Sequence, residues 1–381
     1  MTRRREIGLL LLIICILGSC RSTKTIVHDL DWNTNYPFIF VHGLEGWGDY
    51  NAINSVYSYW GLKAGSIPNQ LEDYGFTCAS ASLAKTGSAW DRACELYAQL
   101  SGTVVDYGAA HSSACNHSRF GKDYTGKALV PAWDQTHKIN LIAHSFGGVT
   151  SRLLIQLLVQ GSEEEQLATP AGELSPLFAG GHSDRVYALV AICSPHNGVS
   201  AMTINDEGFD GNSWGIRMLQ KSIEPIKDGR VQIDCTGWDM HIDVAAELNK
   251  KLPIQNDIFY FSIPASSTYR LINGNYVPNK CITESLFVES STIVGKYKGQ
   301  TPAGYQITEE WRENDGIVNL ISAKAPFTDP SVVFDSQNIT KGIWNIMPTV
   351  TADHLGVVGG LSKKFDTMSF YVPLLELINK L

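Results

Sequence analysis

Ser145 stands in the stretch "LIAHSFGGVT", residues 141–150, where an aliphatic run meets His-Ser and then two glycines. An Ala-x-Ser-x-Gly pattern between a strand and a helix is a variant of the sharp turn that lifts a serine hydroxyl clear of a sheet. A plain polar residue at the end of a buried strand is the competing reading, because so short a pattern recurs by accident. A serine at its free pKa is a poor nucleophile, so nucleophilic chemistry here requires a base, and the base an acid to orient it. With the order Ser, then Asp or Glu, then His, the downstream histidines are His182, His196, His241 and His354. Only His354, in "TADHLGVVG", lies near the C-terminus after the last strands, and it is the candidate base. Asp353 is its neighbour, but adjacent side chains usually diverge. Asp315, in "WRENDGIVN", sits in a polar turn leading into an apolar run and is the better orienter, weighed against ordinary Asp-Gly turn chemistry.

Attack on a carbonyl also requires donors for the developing oxyanion. The amide of Phe146 follows the serine at the positive end of a helix dipole. The second donor is expected from "VHGLEGWG", where His42 and Gly43 let the chain turn and leave the Leu44 amide facing the elbow. Each such donor is typically worth a factor of ~10² to 10³ in turnover.

These residues must be carried by a scaffold. "YPFIFVHG", "KINLIAHS", "RVYALVAICSP" and "DIFYFSIP" are short, continuous apolar runs of the kind found in a parallel sheet buried on both faces. Between them lie helical patterns. In "VTSRLLIQLLVQG" the residues Val149, Leu153, Leu154, Leu157 and Leu158 form one stripe and Gly161 is a stop signal. Alternating strands and helices predict a doubly wound, mostly parallel α/β sheet over residues 34–381, without internal repeat or second domain. Two inserts interrupt the alternation. Residues 85–125 hold a helix, "SAWDRACELYAQL", and a Gly-, Ser- and His-rich loop long enough to carry a ligand. Residues 197–250 include "WGIRMLQKSIEPI", with Ile216, Leu219, Ile223 and Ile226 on one face, the pattern of a helical cap over a cleft or of a packed surface helix.

The 381 residues are 44% hydrophobic and 18% charged, ordinary for a folded chain. Arg3, Arg4 and Arg5 precede an apolar run from Ile7 to Leu17, about half of the ~20 residues that a membrane span requires. Residues 1–19 therefore read as a secretion signal. The "LGSC" ending at Cys20 resembles the bacterial lipoprotein processing box, which implies acylation of Cys20, a membrane anchor, and a tether over residues 20–33. An ordinary signal cut nearby is the alternative. Loss of three arginines and one glutamate with that signal takes the net charge from −8 to −10, which argues against nucleic acid as a partner. The six cysteines beyond Cys20 show no paired C-x-x-C spacing and predict no particular bridge.

Taken together, "YPFIFVHGLEGWG", "WDRACELYAQL", "VDYGAAH", "LIAHSFGG", "SPHNG", "ENDGIVN" and "DHLGVVG" resemble the zinc-containing bacterial lipases known from thermophilic bacilli. The resemblance runs from about residue 36 to 360, in the family's order. It implies an α/β-hydrolase fold, Ser145, Asp315 and His354 as the triad, and Leu44 and Phe146 as oxyanion donors. Implied substrates are triacylglycerols and other carboxylic esters. It also implies a tetrahedral zinc site at Asp91, His111, His117 and Asp239, with Cys115 and His241 as competing ligands. Four protein ligands close the shell and mark such a site as structural; at a metal concentration of ~1,000 times Kd it would add ~4 kcal/mol of stability. Two features depart from the family. Gly356 and Leu361 stand where its calcium ligands are acidic, which argues against calcium. The span from His196 to Asp239 is shorter than the family's large lid, which implies a small cap and a more open cleft. A binding protein that keeps the fold without activity, or an acyltransferase or thioesterase with the same triad, are the alternative functions.

Overall fold

The computed structural model describes residues 32–223, 233–361 and 365–381. The secretion signal, Cys20, most of the tether and Ile226 lie outside the described residues. Seven strands form one sheet, in the order Ser331–Val333, Trp344–Ile346, Phe259–Ile263, Val186–Ile192, Ile139–His144, Phe38–Val41 and Cys78–Ser80. Every pairing is parallel. The four central strands are the four apolar runs picked out above. Each lies in the interior over its whole length, because helices cover both faces and no residue of the run can reach water.

Alternation along the strands divides the core in two. Ile39, Val41, Leu141, Ala143, Leu189 and Ala191 face the side covered by the helices Ala89–Ser101 and Phe146–Gln160. Phe38, Phe40, Ile142, Val190 and Phe261 face the other side, closed by Trp60 and the C-terminal helix Thr367–Lys380. The helix Phe146–Gln160 runs from the end of the strand Ile139–His144 and is buried almost all round, since it is wedged between the sheet and the helix Ala89–Ser101. Its predicted stripe is buried at every position, and Gly161 ends it with its amide on the Leu157 carbonyl at 2.8 Å.

Both inserts carry secondary structure. Within residues 85–125 the expected loop is partly ordered: the strands Val104–Asp106 and Phe120–Asp123 pair antiparallel, and the short helix Ala109–Cys115 lies between them. The cap segment contains the helices Ser200–Asp206, Trp214–Lys221 and Ile242–Lys251. Ile216 and Leu219 of the middle helix are buried as its pattern predicts. The chain from Pro264 to Asn319 leaves the sheet altogether, forms two small ribbons and the helix Val288–Val294, and returns Asp315 to the main body. The six cysteines within the described residues are unbridged.

One buried ion pair ties these parts together. Arg152, on the helix Phe146–Gln160, donates to Asn249 Oδ1 at 2.7 Å and lies 3.7 Å from Asp329 Oδ2, which also accepts the Trp344 indole N–H at 2.9 Å. Removing one partner of a buried pair strands the other charge in low dielectric. Arg152→Met is therefore expected to lower unfolding stability by ~3–5 kcal/mol, measured by urea denaturation.

Candidate active site and metal cluster

The strand Ile139–His144 ends at Ser145, whose φ of 55° and ψ of −130° lie outside the regions open to most L-residues. Its amide bonds the Ile192 carbonyl at 2.9 Å and its carbonyl accepts from Gly148 N at 3.0 Å, so both neighbours hold the strained turn. Two glycines make room for it. A Cβ on Gly147 would lie 2.3 Å from the Val41 carbonyl oxygen, and one on Gly43 would lie 2.7 Å from the Ser145 Cβ.

The structure brings together the three residues expected to form the triad. Ser145 Oγ lies 2.9 Å from His354 Nε2, and His354 Nδ1 lies 2.7 Å from Asp315 Oδ2. All three are nearly inaccessible, at 6%, 5% and 1% exposure, so their interactions are little screened by water. The other carboxylate oxygen of Asp315 accepts the Ile317 and Val318 amides at 3.1 and 2.8 Å. The His354 amide bonds the Asp315 carbonyl at 2.8 Å. This fixes the orienting acid without a countercharge and leaves Nδ1–H as donor and Nε2 as acceptor on His354. Asp353 turns away, as expected of a neighbour. Its carboxylate accepts the amides of Glu284 and Gly356 at 2.5 and 2.7 Å, and burial raises its pKa.

Among the described residues, the amides of Leu44 and Phe146 have no protein acceptor. Leu44, Ser145 and His354 border one cavity of about 580 Å³. Its walls are apolar, from Phe287, Ile317 and Val358 on one side and Met218 and Leu219 of the cap on the other. Arg217, Lys221 and Glu45 also border it. The other candidate histidines stay away from the cavity. His196 packs tilted against Trp344 with ring centroids 4.7 Å apart, and His241 lies 3.3 Å from Asp206 Oδ2.

A second cluster forms in the insert. Asp91 sits in the first turn of the helix Ala89–Ser101. His111 is on the short helix Ala109–Cys115, and the left-handed Asn116, with φ 60°, reverses the chain and returns His117 to the same place. His111 Nε2 lies 3.2 Å from Asp91 Oδ1 and 3.4 Å from Asp234 Oδ1; His117 Nε2 lies 3.4 Å from Asp234 Oδ2. Asp234 thus stands beside both imidazoles, where Asp239 was expected. The Asp239 carboxylate accepts the Ala89 amide at 2.7 Å at the start of the neighbouring helix, and one turn of helix, Thr236–Asp239, separates it from Asp234. Both aspartates occur in "QIDCTGWDMH", and only the direction of that turn distinguishes them. Cys115 stands beside the cluster, its Sγ 3.9 Å from His111 Nδ1.

The group suits a divalent metal. His117 Nδ1 faces the Ser118 carbonyl at 2.9 Å and must carry the proton there, which leaves the lone pair on Nε2. That Nε2 is buried and makes no hydrogen bond with the carboxylates near it, as expected of atoms arranged about a shared centre. The ligand atoms of His111, His117, Asp234 and Cys115 all lie within 4.8 Å of one another, with Asp91 against His111, and imidazole, carboxylate and thiolate donors all suit such an ion.

Pattern reading passed over Tyr59, Arg92 and His144 around the elbow, and Asp234 in the second cluster. Arg92 is fully buried, in a helix whose other inward residues, Gln99 apart, are apolar. A charged residue on an apolar stripe was the available signal for it; the others left none.

A parallel sheet with an elbow serine, a histidine and an aspartate in hydrogen-bonded sequence beside an apolar cavity defines an α/β-hydrolase fold. The chain belongs to the family described as "Lipase-like, C-terminal domain", whose model matches residues 34–223 and 221–371. A lipase of Staphylococcus epidermidis is 32% identical over 365 residues, 86% of this chain and 50% of the relative. Lipase 2 of Staphylococcus aureus is 32% identical over 358 residues, with 85% and 50% covered. The chain thus spans about half the length of the curated relatives it matches. Among solved structures, EstA from Clostridium botulinum superposes with a TM-score of 0.80 at 27% identity, over 93% of this chain and 90% of that one. Lipase 1 from Pelosinus fermentans gives 0.75 at 33% identity, over 91% and 99%.

The geometry separates the two aspartates of the metal cluster by experiment. Asp234→Ala should lose stoichiometric divalent metal after dialysis, whereas Asp239→Asn, which keeps an acceptor for the Ala89 amide, should retain it; elemental analysis of the purified proteins reads the difference.

Proposed function

We propose that this chain is a serine hydrolase that cleaves carboxylic esters of lipids or other acyl compounds through an acyl-enzyme. The observation that carries the reading is the continuous line from Ser145 Oγ through His354 to Asp315, opening on an apolar cavity that Leu44 also borders. The lipase and esterase names of the similar proteins agree with it.

In this reading His354 Nε2 takes the Ser145 proton as Oγ attacks the acyl carbon. Negative charge on the carbonyl oxygen is met by the Leu44 and Phe146 amides, which are already oriented and so need no reorganisation. Asp315, held by two backbone amides, keeps the imidazole in position and stabilises its protonated form. Collapse of the tetrahedral intermediate expels the alcohol, which receives the proton from His354. Water then enters with the same base and releases the acid.

The apolar wall accommodates the acyl chain. The cap over it is built from short helices, of which Trp214–Lys221 contributes Trp214, Met218 and Leu219 to the cavity. With so small a cover, soluble short-chain esters are expected to be turned over without a jump at an oil surface. Asp91, His111, His117 and Asp234 would hold zinc, which supplies structural cross-linking and no step of the reaction. They would pin the insert to the segment leading into the cap. With Gly356 and Leu361 in place of acidic side chains, the reading includes no calcium.

Export with acylation of Cys20 completes the proposal and rests on the residues around the "LGSC" box; among the described residues no helix is long and apolar enough to cross a membrane. Cys20→Ala should move the protein from the membrane to the soluble fraction of the expressing bacterium, and equal partition of both forms would remove the anchor from the reading.

Ser145→Ala should lower turnover by ~10⁶ if the three residues act as a unit, with thermal stability retained. The assay is p-nitrophenyl ester hydrolysis across acyl lengths. Persistent turnover in that variant sinks the nucleophile assignment, and strong preference for emulsified long-chain esters sinks the small-cap reading.

A further inference from the structure

Arg92 is a cation set deep in the interior. It is 0% exposed and makes no close ion pair among the described residues, although the buried Glu95 lies near enough to act against the lowering of its pKa. Its guanidinium remains cationic, although burial lowers its pKa to about 10. A buried charge without a partner is retained only where its hydrogen bonds are well used. Those of Arg92 converge on the turn beside Ser145. Nη2 donates to the His42 carbonyl, Nη1 to the Ala84 carbonyl at 2.7 Å and more weakly to the Gly43 carbonyl at 3.4 Å. Nε donates to Thr150 Oγ1 on the elbow helix at 3.1 Å, and the guanidinium lies 5.6 Å from the centre of the Phe146 ring.

The same glycine is held from two further directions. His42 Nδ1 lies 2.8 Å from the Gly43 carbonyl, which can only accept, while His42 Nε2 receives the Leu83 amide at 3.0 Å. His42 is therefore the neutral tautomer with its proton on Nδ1. The Gly43 amide donates to the Tyr59 hydroxyl at 3.3 Å. That hydroxyl donates on to His144 Nδ1 at 2.7 Å, and His144 Nε2–H reaches the His354 carbonyl at 2.8 Å. Both polar groups of Gly43 are thus engaged, its carbonyl also accepting the Gly46 amide at 3.3 Å.

The Gly43 carbonyl and the Leu44 amide belong to one peptide plane and point in opposite directions. Holding the carbonyl toward His42 and Arg92 aims the Leu44 N–H at the space beside Ser145. A donor and a cation on that carbonyl also polarise the peptide and strengthen the N–H as a donor. We propose that Arg92, His42 and Tyr59 are positioning residues that aim and polarise the Gly43–Leu44 peptide as an oxyanion donor. This rests on the reading of Ser145 as nucleophile. Arg92 also spans to Thr150 and Phe146, so it sets the separation between the two amides that share the oxyanion.

The test uses the full chain as Arg92→Met, Arg92→Lys, His42→Leu, His42→Asn and Tyr59→Phe. Active sites are counted by fluorophosphonate labelling taken to completion, so any misfolded fraction drops out. For each variant kcat and KM are measured with a soluble butyrate ester, together with the inhibition constant of an alkylboronic acid. The boron accepts Ser145 Oγ, the serine proton passes to His354, and the tetrahedral anion places an oxygen where the oxyanion forms. Arg92→Met and His42→Leu should lower kcat per labelled site by ~10- to 100-fold, somewhat less than deletion of a donor. KM should stay within about twofold, and boronate affinity should fall in step with kcat. His42→Asn, which can return an N–H toward the Gly43 carbonyl, should recover part of the loss, and Tyr59→Phe, which removes only a hydroxyl, should lose a few-fold. Losses that vanish when rates are expressed per labelled site, or that leave boronate affinity unchanged, overturn the proposal. Failure of the wild type to label at Ser145 would instead overturn the nucleophile reading.

Discussion

The elbow at Ser145 is a backbone conformation that a serine does not choose for itself. Its φ of 55° is maintained because the strand before it is locked in the middle of the sheet and the helix after it is buried on nearly every side. The ladder carries the chain to His144 in register with Ile192 and the packed helix carries it away, so the turn must be made within one residue. The strain is localised where the surroundings over-determine it. Around this point everything approaches closely: Gly147 passes under the Val41 carbonyl and Gly43 faces the serine Cβ, contacts that larger residues would break.

From that fixed point a polar network spreads through an apolar interior. His42, His144 and Tyr59 are all buried, and burial depresses the pKa of both histidines, that of His42 to about 3 and that of His144 well below its ordinary value. The Arg92 guanidinium adds to the effect on His42, and the adjoining imidazole of His354 disfavours a second charge on His144. Neutral imidazoles with fixed tautomers are rigid connectors: one ring nitrogen donates and the other accepts, so each link has one sense. The line Gly43–Tyr59–His144–His354 therefore joins the turn after the first strand to the loop that carries the imidazole facing Ser145.

The insert joins the same network at its other end. Asp91 and Arg92 are consecutive on the helix Ala89–Ser101, and they point to different places: Asp91 into the cluster with His111, His117 and Asp234, Arg92 beneath the turn at Gly43. Successive residues on a helix diverge by about 100°, so a single rigid rod serves both. Its start is held by the Ser88 side chain on the Asp91 amide at 3.2 Å and by Asp239 on the Ala89 amide. The arrangement gives a mechanical reason for the insert to lie where it does, against the elbow rather than as a separate appendage.

Local pattern was enough for the parts that are long and buried. The four central strands are unbroken apolar runs, and the helix after Ser145 carries a full stripe with a glycine stop, so both sheet and elbow were legible as sequence. The outer strands Cys78–Ser80, Ser331–Val333 and, one in from the edge, Trp344–Ile346 are three residues each, too short for a period to register. The meeting of Asp315 with His354 could be expected only from chain order, because the carboxylate travels through the whole excursion from Pro264 to Asn319. The choice of Asp234 over Asp239, and the task of Arg92, depended on which way a turn of helix faces its neighbour. Periodicity records how a segment meets water or core; it carries no information on which distant groups share a point in space, and that was decided by tertiary packing alone.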